Sequence, residues 1–181
     1  MSNNQTLEKE TAQRNMLTGM FSDRQSTEKA YNGLREKGYS DDEINLIMSD
    51  DTRKKYYAEG KETEIGTKAA EGAGKGSAIG GAVGAIAGVI AALGTSLLIP
   101  GLGIVIAGPI AAGLAGAGAG GLTGGLIGAL IGSGIPEERA RLYESGLKKG
   151  NVVLGVHPRN DEDADYIENN WKENQGSEIN R

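Results

Sequence analysis

GSAIGGAVGAIAGVIAALGTSLLIPGLGIVIAGPIAAGLAGAGAGGLTGGLIGALIGSGIP, residues 76–136, holds no Asp, Glu, Lys, Arg or His in 61 positions. Every charged side chain lies to one side of it or the other. Glycines recur at Gly72, Gly76, Gly80, Gly84 and Gly88, and again at Gly116, Gly120, Gly124, Gly128 and Gly132. A spacing of four keeps such residues on one helix face and strips that face of side chains. Two helices of this kind approach until their backbones touch. The other faces carry Ile79, Val83, Ile86, Ile90 and Leu93, then Leu122, Leu126, Ile127, Leu130 and Ile131, again at helical spacing. Ten interior glycines cost on the order of 10 kcal/mol of helix propensity. The pattern therefore predicts helices shielded from water by lipid or by close packing. Pro100, Gly101, Gly103, Gly108 and Pro109 supply a turn between them. The expectation is a glycine-zipper helical hairpin over 66–135.

Helices over 76–98 and 109–134 would be roughly 35 and 39 Å long at 1.5 Å per residue, enough for a hydrocarbon core of about 30 Å. Lys54, Lys55, Lys61, Lys68 and Lys75 precede the stretch, and Arg139, Arg141, Lys148 and Lys149 follow it. Basic flanks with none in the turn would keep both ends cytoplasmic. A second reading satisfies the same pattern: a soluble homo-oligomer whose subunits sheathe the small-residue faces. The expected partners are thus further copies of the chain and membrane lipid, at the cytoplasmic side of the cell membrane or in a soluble cytoplasmic assembly. A lone monomer exposing this surface would exceed ordinary apolar patch sizes.

The flanks read differently. Residues 1–15 are polar and unpatterned, a disordered tail with no secretory signal. Within 16–65, Met16-Leu17-Thr18-Gly19-Met20-Phe21 reads as a strand, and Ser26 or Thr27 as the cap of a helix closed by Gly38. Ile44-Asn45-Leu46-Ile47-Met48 reads as a second strand. Within 136–181, Pro136 opens a helix with Glu137 and Glu138 at its positive end, and Gly150 closes it. Val152–Val156 is apolar throughout, a strand covered on both faces. Asp161, Glu162 and Asp163 begin a further helix through Trp171. Glu43-Ile44-Asn45 and Glu178-Ile179-Asn180 end similar strand–turn–helix runs, so the chain repeats itself. Two such halves pair into an α+β, ferredoxin-like sandwich of two βαβ-type halves. The last strand, near Ile179, is short enough to leave its formation open.

Composition excludes several chemistries. With no Cys there is no disulfide, thiolate metal site or thiol nucleophile, and one His makes no His cluster. A net charge of −5 and scarce aromatics disfavour nucleic acid as a partner. Gly72-Ala73-Gly74-Lys75-Gly76-Ser77 misses the phosphate loop, because Gly76 separates Lys75 from Ser77. Gly116-Ala117-Gly118-Ala119-Gly120-Gly121 fits a dinucleotide fingerprint only inside the four-residue glycine period. Asp161, Asp163 and Asp165 start like a calcium loop, but Tyr166 and Lys172 stand where Gly and Glu are needed. His157 reads as structural. The expectation is no catalytic residue, no metal and no cofactor.

Met20-Phe21-Ser22-Asp23 with Gly38-Tyr39-Ser40-Asp41-Asp42-Glu43-Ile44 resembles the opening of the general stress protein 17M-like (heat-induced stress protein) family of bacteria. Glu64–Gly74, Ile99-Pro100-Gly101-Leu102-Gly103, Ala107-Gly108-Pro109 and Gly134-Ile135-Pro136-Glu137-Glu138 resemble that family's glycine-rich insertion, its turn and its exit. The resemblance covers roughly 17–175 and implies a stress-response role without catalytic residues. The function expected is a non-enzymatic general stress protein that self-associates through its glycine hairpin. A pore or membrane-remodelling protein, or a ligand-binding domain, are the competing classes.

Overall fold

The computed structural model describes residues 15–57, 86, 97–99, 103–117 and 125–181. The chain is a mixed α+β protein. In order, the elements are β1 (Leu17–Phe21), α1 (Arg24–Glu36), β2 (Ile44–Ser49), α2 (Asp50–Tyr56), β3 (Leu97–Ile99), β4 (Ile104–Ala107), α3 (Pro109–Ala117), α4 (Gly125–Gly132), α5 (Glu137–Lys148), β5 (Val152–Val156), α6 (Asp161–Glu173) and β6 (Ser177–Asn180). Among the described residues, six strands form one sheet in the order β3-β4-β2-β5-β1-β6. All neighbouring strands in it pair antiparallel.

Alternation of side chains divides the core between the two sheet faces. One face buries Leu17, Phe21, Ile44, Leu46, Met48, Val105, Leu154 and Val156 under α1 and α6, whose Tyr31, Leu34, Ile167 and Trp171 meet them. The other buries Ile47, Ile104, Ile106 and Val153 under α3, α4 and α5. β5 is buried at all five positions because β1 and β2 flank it and helices cover both its faces. Its unbroken apolar run requires that position.

Helix α1 begins at Asp23, whose carboxylate accepts the Ser26 N–H at 2.8 Å. Ser26 and Thr27, expected as the cap, lie inside the helix and are buried. Gly38, at φ +91°, turns the chain beyond Lys37. Strand β6 forms, although it is short and shifts register against β1 between Thr18 and Met20. Tyr143 Oη donates to the Glu178 carbonyl at 2.8 Å and lies 2.7 Å from Thr18 Oγ1, tying α5 to both β1 and β6. Arg139 pairs with the Glu178 carboxylate at 2.6 Å.

The neutral segment departs most from expectation. Leu97–Ile99 and Ile104–Ala107 form a β-hairpin that extends the sheet beyond β2, where the sequence places a helix end and a turn. Ile99, Ile104, Val105 and Ile106 are β-branched and favour strand geometry, and β2 supplies an edge for them. Gly103 and Gly108 sit at the ends of β4, and Pro109 is the first residue of α3; Pro100 and Gly101 lie outside the described residues. Of the long second helix expected over 109–134, residues 118–124 lie outside the described residues; the described residues show α3 and α4, nine and eight residues long, with Gly125 at φ +62° opening α4. Each rises only about 12–14 Å at 1.5 Å per residue. No helix among the described residues is long and apolar enough to cross a membrane.

Candidate functional site

The neutral segment is seated through one buried polar residue. Asn45 is fully buried in β2, and its Oδ1 accepts the Ile110 N–H of α3 at 2.8 Å. That amide belongs to the first turn, whose N–H groups have no partner inside the helix. Asn45 thus caps α3 from a neighbouring strand, while Pro109 needs no partner at all. Asn45→Ala should leave the Ile110 N–H unpaired and cost about 1–3 kcal/mol. Urea unfolding, with hydrogen exchange at Ile110, measures the loss; an unchanged midpoint and unchanged protection would remove the capping role.

Ile110, Ala111 and Leu114 of α3, and Leu126, Ala129 and Leu130 of α4, are buried against the sheet. Of the apolar stripe read from the sequence, Leu126 and Leu130 pack on the chain's own core, while Ile131 is exposed. Ile86 is buried as well, but in the cluster on the opposite face. The sheet lies between Ile86 and the α4 side chains Leu126 and Leu130, so these positions of the two glycine-rich runs do not meet within the chain. The outward sides of α3 and α4 present Ala112, Gly113, Gly128, Ile131 and Gly132, with no charged residue among them. Among the described residues, a Cβ built on Gly113, Gly128 or Gly132 meets no atom within 4 Å. Gly116 lies in α3; Gly72, Gly76, Gly80, Gly84, Gly88, Gly120 and Gly124 lie outside the described residues. Leu98 and Ile131 are half-exposed at 50% and 42%.

Asp161, Asp163 and Asp165, which start like a calcium loop, are engaged in other contacts. Asp163, at the start of α6, accepts from Tyr39 Oη at 2.9 Å and pairs with Lys37 at 3.2 Å. Burial and the Asp163 contact push the Tyr39 hydroxyl up to about 12. Asp161 and Asp165 both pair with Arg181. Glu137 pairs with Arg141. Burial pushes the His157 imidazole below its ordinary value. No group of three metal-ligating side chains occurs among the described residues. Beside the Tyr39–Asp163 contact, Arg159 lies over the Tyr39 ring and reaches the Glu43 carboxylate at 3.1 Å. Glu43 is held below the usual carboxylate range: burial opposes this, but Ser40 and Arg159 donate to it. These contacts lock the loop before β2 to the loop before α6.

A cleft of about 540 Å³ opens at the other end of the sheet. Four separate pieces of chain wall it: Ser22 after β1, Ser49–Tyr56 around α2, Gly103–Ile104 before β4, and Lys148–Gly150 after α5. Its floor is fixed by internal hydrogen bonds. Buried Thr52 donates through Oγ1 to the Gly150 carbonyl at 3.1 Å and accepts from Ser49 Oγ at 2.8 Å. The Asp50 N–H donates to the Gly103 carbonyl at 2.7 Å. Sequence reading missed this cleft because no two of its walls are contiguous. The signal available was the Lys148-Lys149-Gly150 run at a helix end, which reads equally well as dipole complement. No protein-family model, no curated protein and no solved structure matches this chain.

Proposed function

We propose that this chain is a non-enzymatic, self-associating stress protein whose glycine-rich segment is the surface by which copies meet. In this reading the two βαβ halves form a ferredoxin-like core, and the order β6-β1-β5-β2 within the sheet supports that. The observation that carries the association is the uncharged outward side of α3 and α4. A helix facing water normally carries charged and polar residues there. Here the outward positions are Gly, Ala and Ile, and they leave room for a second backbone. The occupant is a second copy, because a small-residue face is complementary to itself across a two-fold axis. A glycine zipper then closes between chains. The general stress family resemblance agrees with such a role.

Gly128→Leu together with Gly132→Leu separates this reading from a purely structural one. Both sites are open among the described residues, and leucine is favoured over glycine in a helix by about 1 kcal/mol per position. The monomer fold should therefore hold or gain stability while the assembly dissociates in analytical ultracentrifugation. An unchanged sedimentation coefficient would overturn the proposal. Alkaline carbonate washing of a membrane fraction should release the protein; retention in a pellet cleared of aggregates would restore the inserted form.

A further inference from the structure

The cleft between Ser22, α2, the start of β4 and the end of α5 has no part in the association just proposed. Its volume lies within the range of small-molecule sites, about 300–1,000 Å³. What decides its ligand is which hydrogen-bonding groups remain after the protein has used its own. The acceptors are largely consumed. The Gly103 carbonyl takes the Asp50 N–H, and the Gly150 carbonyl takes the Thr52 hydroxyl. The Asp50 carboxylate is held by Lys54 at 2.6 Å and Arg53 at 2.7 Å. Asp51, on the wall of α2, is the one acidic group left to offset the lysines.

Donors remain. Lys149 and the Ser22 hydroxyl have no side-chain partner among the described residues. Lys148 pairs with Glu144 at a loose 3.2 Å and is otherwise solvated. Lys55 leans over the Tyr56 ring, 4.7 Å from its centre, on the facing wall. Two ammonium groups, those of Lys148 and Lys149, and the Ser22 hydroxyl thus face a floor already locked in place, with the Tyr56 ring on the opposite wall. Such preorganised donors favour an anion with several acceptor oxygens. The ring gives its organic part a surface to lie on.

We propose that this cleft binds a small phosphomonoester, its phosphate held by Lys149, Lys148 and the Ser22 hydroxyl and its organic part lying towards Tyr56. A phosphate dianion suits this donor set better than a carboxylate, since it offers three equivalent oxygens to three separated donors. The Gly103–Ile104 wall belongs to the glycine-rich segment, so the site is complete only when that segment is seated on β2.

Calorimetric titration of the full chain with ribose 5-phosphate at about 0.15 M salt, where exposed charge attraction is screened within about 8 Å, tests the proposal. Saturable binding is expected for ribose 5-phosphate and none for ribose. Lys149→Gln with Ser22→Ala should weaken it at least about tenfold, the equivalent of one charge-assisted hydrogen bond. Both residues are exposed, so the melting temperature should not move. A parallel co-sedimentation with phosphatidic acid vesicles distinguishes the source. Binding there that the same variant abolishes assigns a lipid headgroup, and soluble binding alone assigns a free metabolite. Absence of binding in both arms overturns the proposal, as does equal binding of ribose or full affinity in the variant.

Discussion

Gly108→Ala should unfold or severely loosen the protein, more than any other single methyl addition at a described glycine. Gly108 has φ +94°, a conformation that L side chains rarely adopt, which costs about 1–3 kcal/mol. A Cβ there would lie 2.2 Å from the Ile44 carbonyl oxygen and 3.0 Å from Asn45 Cα. These are backbone atoms of a strand held on both sides, by β4 and by β5, so neither yields without breaking the ladder. The overlap adds about 1–3 kcal/mol. The same residue precedes Pro109 and Ile110, so displacing it also pulls the Ile110 amide from Asn45. Thermal unfolding by circular dichroism measures the change. A melting temperature within a degree or two of the parent would show that the segment is not seated on β2 at this point.

Trp171→Ala should cost about 3–5 kcal/mol, the range for deleting a buried aromatic side chain. Trp171 has no exposed surface, meets Phe21 edge-on with ring centres 5.8 Å apart, and lies against the bare backbone of Gly19. A Cβ on Gly19 would stand 2.7 Å from the indole ring, so glycine there makes room for tryptophan. The indole N–H has no partner, and the loss is therefore one of packing and not of hydrogen bonding. For a domain of this size the shift is roughly 10 °C. Since Trp171 is the sole tryptophan, the comparison requires circular dichroism in place of fluorescence. Trp171→Phe should recover a large part of the stability; no recovery would mean that more than filled volume is lost.

The strands and helices outside the neutral segment were legible because each carries a local signal that packing then respects. Val152–Val156 announced a doubly covered strand, and Gly38 and Gly150 announced helix ends. Where local signals competed, the tertiary contact chose. Asp23, Ser26 and Thr27 all suit a cap; Asp23 takes the role while Thr27 Oγ1 donates back to the Asp23 carbonyl at 2.7 Å. β6 has weak strand character, with Gln175 and Glu178 at positive φ, yet Tyr143, Arg139 and β1 hold it in place. In the neutral segment the four-residue glycine period masked two short aliphatic runs, Leu97–Ile99 and Ile104–Ala107. Periodicity sees one helix face and does not see that β2 offers an unpaired edge. The charge gap was legible as a surface property, but its seating on the sheet depended on Asn45, an ordinary strand residue by sequence. The cleft was illegible for the same reason: it is assembled from four distant pieces.

The place of β5 between β1 and β2 has a consequence for how the protein is made. The amino-terminal half leaves the ribosome without the strand that joins its own two strands. β5 ends about a hundred residues after β2, a delay of roughly 5–20 s at ordinary translation speeds. During that interval the uncharged, glycine-rich stretch 76–136 also emerges, after the charged residues 50–75. A nascent chain in that state is a natural client for holding chaperones, and its demand on them falls only when β5 arrives.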